Sequence, residues 1–321
     1  MKLVVLDSYV AVSTDLSLEP LRELCDELTV YERTAPADTV ARIGKAELLI
    51  VNKTLLTREV LEQCSSVKYI GLFATGYNNV DIAYCREHGV VVANAPAYST
   101  NAVAQMVFAY LLHFAGMVDW HDREVHAGRW QNCDDFAFYN PAIFELAGKT
   151  LGIVGFGSIG RRVAQLALAF DMEVLVYSRT AYADMESGHL HFVPFEELLY
   201  RSDAVTLHCP LFPETARLIN AEALAKMKPS ALLINTSRGG VLDEQAVADA
   251  LNDGRIVGCA VDVAAVEPIA ADSPLLSAKN CVITPHIAWA AREARERLIA
   301  IVCGNLQAFL HGEPRNNVAA K

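Results

Sequence analysis

A chain of 321 residues is longer than one hydrophobic core usually serves, so about two domains are expected. Hydrophobic residues make up 53% of it, enough for large cores, while a formal net charge of −11 removes any electrostatic reason to bind nucleic acid or an anionic membrane surface. Any anion that binds must meet a local cluster of cations.

The N-terminal run MKLVVLDSYV reaches an acidic residue by position 7 and reads as a strand rather than a signal peptide. The segments KLVVLD, LTVYE, AELLIV, VKYIGLF and VVVANAP follow as short apolar strands. Amphipathic helices are predicted between them over LEPLRELCDEL, TREVLEQC and DIAYCREHG. This alternation implies a parallel sheet with helices on both faces. Lys53, in VNKTLLT, is a candidate contact for a substrate carboxylate or hydroxyl. Ala74, Thr75 and Gly76 follow a strand end, where backbone N–H groups can meet a carboxylate. Asn94-Ala95-Pro96, ahead of the Ser99-Thr100-Asn101 helix cap, marks a domain crossing near residue 98.

The run 102–116 is apolar, but it is too short to span a bilayer and is flanked or interrupted by Asn101, Gln105 and His113. It reads as a buried or interface helix. Together with the aromatic stretch from Trp130 to Tyr139, which is costly to expose, it points to a homodimer.

In LGIVGFGSIG the apolar run Leu151 to Val154 reads as a buried strand, and Gly155, Gly157 and Gly160 complete Gly-x-Gly-x-x-Gly. A helical pattern (Val163, Leu166, Ala167, Phe170) and a second strand, Glu173 to Tyr177, supply the context that makes this a dinucleotide fingerprint. The glycines let the backbone approach a pyrophosphate, and the helix N-terminus faces it with partial positive charge. Where an Asp for a ribose 2′-hydroxyl belongs, the chain has Ser178-Arg179-Thr180 after Tyr177. A guanidinium and two hydroxyls suit a 2′-phosphate, so NADP(H) is favoured over NAD(H).

AVTLHCP, ALLINTS, IVGCAVDV and NCVITPH complete six predicted strands in this second unit, with helices such as DEQAVADALNDG between them. Arg238, Glu267 and His286 stand at or just beyond the ends of these strands, where an open α/β sheet gathers reactive groups. A guanidinium, a carboxylate and an imidazole together clamp an anion and move a proton. A long amphipathic segment, roughly 290–310, then returns to the first unit. The expected organisation is a discontinuous substrate-binding domain, residues 1–98 plus 289–321, around a dinucleotide-binding domain, residues 99–288. Both are Rossmann-like or flavodoxin-like, with a cleft between them closed by a hinge near residues 96–100 and 288–290. Eight cysteines without a Cys-x-x-Cys pair fit a reducing, cytoplasmic setting, and no metal-ligand spacing is present.

The blocks ELAGKTLGIVGFGSIG, LHCPLFPETARLIN, NTSRGGVLDE, AVDVAAVEP and PHIAWA, in that order, resemble the D-isomer-specific 2-hydroxyacid dehydrogenases over essentially the whole length. STNAVAQMVFAYLL with PHIAWAAREAR is most similar to glycerate dehydrogenases that act as hydroxypyruvate reductases. The resemblance implies reduction of a small 2-keto acid to the D-2-hydroxy acid with NAD(P)H. Arg238 would bind the carboxylate, His286 would be the acid/base, and Glu267 would orient His286 and favour its charged form. It adds Ser158, Ile159, Pro210, Thr215, Thr236 and Asp262 as cofactor contacts, with Asp262 accepting from the nicotinamide amide. His208 ends a strand, in LHCP, where its backbone is expected to border the cofactor, and Cys209, Ser237 and Ala288 are further cofactor candidates. Trp289 joins Lys53 and Thr75 around the substrate. The same fold also serves phosphoglycerate dehydrogenases and corepressor-like modules that sense a dinucleotide.

Overall fold

Continuous apolar runs form the central strands, as they must when helices cover both faces of a parallel sheet. The computed structural model describes residues 1–13, 15–180 and 182–320. It divides into two compact units, Met1–Ser99 with Ala290–Lys321, and Thr100–Trp289.

In the first unit, β1 (Lys2–Val5), β2 (Glu27–Val30), β3 (Leu48–Val51), β4 (Tyr69–Leu72) and β5 (Val91–Ala93) form a parallel sheet in the order β2-β1-β3-β4-β5. Every residue of β3 and β4 is buried, whereas the edge strand β2 is not. The helix expected over LEPLRELCDEL is four residues long, Glu19–Arg22. Residues 27–30 are instead taken by pairing with β1, Lys2 opposite Glu27 through Val5 opposite Val30, so tertiary pairing overrides the local helical pattern. The returning helix Arg292–Leu310 packs on β4 and β5. Arg295 forms a bidentate pair with Asp15 at 2.7 Å to each oxygen, and Asn305 donates to the Asn94 carbonyl.

The second unit holds β6 (Thr150–Val154), β7 (Glu173–Tyr177), β8 (Leu190–Phe192), β9 (Ala204–Leu207), β10 (Leu232–Asn235), β11 (Gly258–Val261) and β12 (Cys281–Ile283). The order is β12-β11-β10-β9-β6-β7-β8, seven strands rather than the six expected. The additional one is the three-residue edge strand β8, paired to β7 and too short to show a period of its own. Alternate residues supply two cores. Val205, Leu233, Cys259 and Val261 join one, and Ala204, Leu232, Ile234 and Ala260 join the other with the helix Thr100–Gly116. Chain order reverses between β6 and β9, and a doubly wound sheet opens its ligand crevice at such a switch point.

Candidate active site

Beyond β10 the chain turns through Thr236-Ser237-Arg238. Asn235, fully buried, scaffolds this turn: its amide donates to the Arg238 carbonyl (2.9 Å), and its Oδ1 accepts from the Ser237 amide (3.0 Å) and hydroxyl (2.8 Å). Gly239 must be glycine, since a Cβ there would lie 1.9 Å from the Ala264 carbonyl carbon. The turn after β10 is thereby pressed against the loop after β11. Arg238 itself is exposed and donates to the Ser237 carbonyl (2.7 Å). Among the described residues no carboxylate lies within ion-pair distance of its guanidinium.

The loop after β11 carries Glu267, whose Oε1 accepts from the Ala264 amide at 3.2 Å and whose Oε2 lies 2.7 Å from His286 Nδ1. Carboxylates only accept from an N–H, so Nδ1 carries a proton and Nε2 is the nitrogen left for chemistry. His286 sits in the left-handed region with φ +55°, uncommon for a residue with a Cβ. Its backbone is held on both sides, its amide donating to Thr284 O (3.0 Å) and its carbonyl accepting from Trp289 Nε1 (2.8 Å). Asp262, 1% exposed, accepts from Thr284 Oγ1 (2.5 Å), the Ile287 amide (2.8 Å) and the Ala288 amide (2.8 Å). The polar groups of Ser237, Asp262 and Trp289, and the Ala288 amide, thus all have partners within the protein. Each holds a turn that bears Arg238 or His286.

At the switch point Gly155 has φ +96°, and a Cβ on Gly160 would lie 2.2 Å from the Gly155 oxygen, so helix and strand meet at van der Waals limits. The helix Ser158–Ala169 begins there with Gly157 as N-cap and no side-chain cap. Ser158 and Ile159 form its first turn, whose amides have no intrahelical acceptors. The end of β9 packs on the same turn, the His208 amide donating to the Val154 carbonyl at 2.7 Å. His208 Nε2 lies 3.0 Å from Thr206 Oγ1, its Nδ1 is buried without a partner among the described residues, and burial pushes the ring's pKa down to about 3, so it is neutral at ordinary pH. Burial raises the Cys209 thiol, which keeps it an unreactive apolar neighbour. Thr215 accepts from the Phe212 amide and donates to the Pro210 carbonyl (2.7 Å), bracing the loop on whose Phe212 ring the Arg179 guanidinium rests at 5.8 Å. Ser178 is half-buried, and Arg179 and Thr180 are exposed.

Residues 108–288 match the model of the D-isomer specific 2-hydroxyacid dehydrogenase NAD-binding domain. The chain is 44% identical over 321 residues to the hydroxypyruvate reductase of Blautia hydrogenotrophica, covering 99% of both chains. It belongs to the D-2-hydroxyacid dehydrogenase family. The glycerate dehydrogenase of Methylorubrum extorquens is 37% identical over 297 residues, 92% of each chain. A solved acyclic imino acid reductase in complex with NADPH and D-Arg superposes with a TM-score of 0.85 at 30% identity, over 99% of this chain and all of that one.

This dehydrogenase therefore takes a nicotinamide dinucleotide, and its own atoms fit one. The glycine cradle would be filled by side chains, the helix start lacks a cap, and Thr236 Oγ1, two residues before Arg238, is buried with no partner among the described residues. Asp7 accepts from the backbone amides of Asn52, Lys53 and Thr54 at 2.6 to 2.7 Å, leaving the Lys53 side chain exposed. Thr75 donates its hydroxyl to the Ala95 carbonyl (2.7 Å), the Ala74 carbonyl accepts from the Ala95 amide (2.9 Å), and Gly76 follows half-buried. Asn235, Thr284 and Tyr110 are not among the residues that the sequence motifs single out. A polar residue inside or just beyond the apolar strands of ALLINTS and NCVITPH is the one signal that marks the first two.

Proposed function

We propose that this dehydrogenase reduces hydroxypyruvate or glyoxylate to the D-2-hydroxy acid with NAD(P)H, NADPH being preferred. The observation that carries the reading is the 2.7 Å bond from His286 Nδ1 to Glu267, which leaves Nε2 of an oriented imidazole as proton donor. Bound nicotinamide dinucleotide supplies the hydride that adds to the keto carbon. As charge develops on the carbonyl oxygen, His286 gives it the Nε2 proton and becomes neutral imidazole, its remaining proton on Nδ1 and donated to Glu267. Glu267 fixes the plane of the ring through the bond from Nδ1. Arg238, with no carboxylate partner among the described residues, grips the substrate carboxylate through its fork. Lys53 is proposed for a substrate carboxylate or hydroxyl, and the backbone N–H groups of the Ala74–Gly76 segment for a carboxylate.

The preference for NADPH rests on Arg179. It is exposed at the end of β7, with Ser178 and Thr180 beside it where a ribose-binding acid is absent. The deciding experiment is kcat/KM for hydroxypyruvate, glyoxylate, larger 2-keto acids and 3-phosphohydroxypyruvate against NADH and NADPH, with the wild type and Arg179→Ala. Hydroxypyruvate or glyoxylate with NADPH is expected to lead. Arg179→Ala is expected to raise the KM for NADPH by about 10- to 100-fold, the worth of one or two charged hydrogen bonds, with little change for NADH. Equal losses with both coenzymes refute the 2′-phosphate role, and negligible turnover with every acid refutes the enzymatic reading in favour of a sensing module.

A homodimer is the second part of the reading. Phe136 is 94% exposed, Tyr139 68% and Trp130 54%, with Val118, Ile143 and Phe144 also exposed in the same stretch of chain. Apolar surface of this kind is buried in assemblies. Light scattering is expected to give twice the 35.0 kDa chain mass, and Phe136→Glu with Tyr139→Glu to give monomers. A monomeric wild type at micromolar concentration contradicts it. A cytoplasmic setting is consistent with eight unpaired cysteines, and no single helix among the described residues is long and apolar enough to cross a membrane.

A further inference from the structure

A line of polar groups runs through the interior of the second unit from the helix Thr100–Gly116 through Thr284 to Asp262 and the segment that carries His286. Tyr110, 3% exposed in the helix Thr100–Gly116, places its hydroxyl against Thr284 Oγ1 in a short contact. Thr284 Oγ1 lies 2.5 Å from Asp262 Oδ1. The direction of donation is determined: the carboxylate only accepts, so the single Thr284 proton goes to Asp262, and the contact above it must be Tyr110 O–H donating to Thr284. Burial pushes Tyr110 up to about 12, which keeps that proton in place at any working pH. Asp262 then collects the backbone N–H groups of Ile287 and Ala288, the two residues after His286.

Buried polar groups cost several kcal/mol unless each finds a partner, and chains of hydrogen bonds reinforce one another in a low-dielectric interior. Here every member is satisfied, and the far end of the chain is the backbone of the one segment that must hold a histidine at φ +55°. A left-handed residue with a Cβ persists only where its surroundings over-determine it. Thr284, two residues before His286, and Ile287 and Ala288, after it, are all tied to the same carboxylate.

We infer that the Tyr110–Thr284 hydroxyl chain, ending on the buried Asp262 carboxylate, is a positioning relay that holds the His286 segment so that the ring meets both Glu267 and the substrate. The inference rests on the proposed role of His286 as acid/base, and it adds Tyr110 and Thr284 as positioning residues that touch neither substrate nor cofactor. Asp262 acts in it through the main chain of residues 287 and 288.

The test compares Thr284→Val, Thr284→Ser and Tyr110→Phe in the full-length protein. Thr284→Val keeps the shape, removes the donor to Asp262 and orphans the Tyr110 hydroxyl. Its kcat is expected to fall by about 100-fold, the effect of misplacing a catalytic group by about 1 Å, with KM for NADPH and hydroxypyruvate changed less than about threefold. Thr284→Ser, which retains the hydroxyl, is expected to recover kcat to within about threefold of wild type. Tyr110→Phe leaves the Thr284–Asp262 bond and is expected to lose about fivefold, in keeping with one neutral hydrogen bond. Nitrogen-15 signals of the His286 ring in the nucleotide-free protein provide a readout that general loss of stability does not move. They are expected to report a single tautomer protonated at Nδ1 in the wild type and a mixture in Thr284→Val. Unchanged kcat and unchanged ring signals in both Thr284→Val and Tyr110→Phe overturn the relay. If instead His286→Asn keeps full turnover, the acid/base reading fails, while the ring signals of the Thr284 variants still decide whether the segment is clamped.

Discussion

Replacing His286 by Asn is expected to lower kcat by about 10²- to 10⁴-fold, the range that a positioned acid or base contributes. Asn is chosen because φ is +55° at this position, and Asn is among the few residues that tolerate the left-handed region at small cost. The backbone bonds to Thr284 and from Trp289 are then kept, and the substitution removes only the ring and its contact with Glu267. Because 31% of the imidazole is already exposed, little packing is lost and the melting temperature should stay within a few degrees of wild type. Affinity for the coenzyme, measured by fluorescence titration without turnover, should be unchanged. A variant that binds NADPH normally yet retains kcat within about tenfold of wild type would remove His286 from the reaction. A variant that fails to fold would show that the residue serves the structure of the turn.

The second large effect is expected at Arg238. Two charged hydrogen bonds from a guanidinium fork to a carboxylate are worth about 1.5 to 3 kcal/mol each. Arg238→Ala should therefore lose about 10²- to 10⁴-fold in kcat/KM for the 2-keto acid. Arg238→Lys keeps the charge and loses the planar fork, so it should recover only part of this. Stability should not suffer. The side chain is exposed, it donates to the neighbouring Ser237 carbonyl, and no acidic residue among those described pairs with it. Free guanidinium added to Arg238→Ala is expected to restore some turnover if the deficit is the missing cation. An alanine variant with wild-type kcat/KM would mean that the substrate carboxylate is held elsewhere, with Lys53 and the Ala74–Gly76 segment as the next residues to substitute.

Much of the architecture was legible in one dimension because parallel strands covered on both faces need no alternation, and runs such as LLIV, TLGIV and LLIN admit few other readings. The turn Gly155 to Gly160 was legible for a similar local reason, since glycine spacing and the flanking strand and helix lie within one stretch of chain. Two elements were not. β8 is three residues at a sheet edge, shorter than any periodicity can reveal, and it exists by pairing with β7. The helix expected over LEPLRELCDEL stops at Arg22 because residues 27–30 gain more by joining β1.

The sequence by itself determined which side chains stand at or beyond strand ends, among them Arg238, Glu267 and His286, because strand termini are set by local apolar runs and the turns that follow them. Tertiary structure alone decided what holds those side chains in place. Asn235 behind the Arg238 turn, Gly239 against Ala264, and Tyr110 reaching Thr284 across 174 residues of sequence are contacts between segments that no local pattern connects. Hydrogen-bond geometry and close backbone approach depend on positions to within a few tenths of an ångström, and only the packed sheet brings separate loops to that precision.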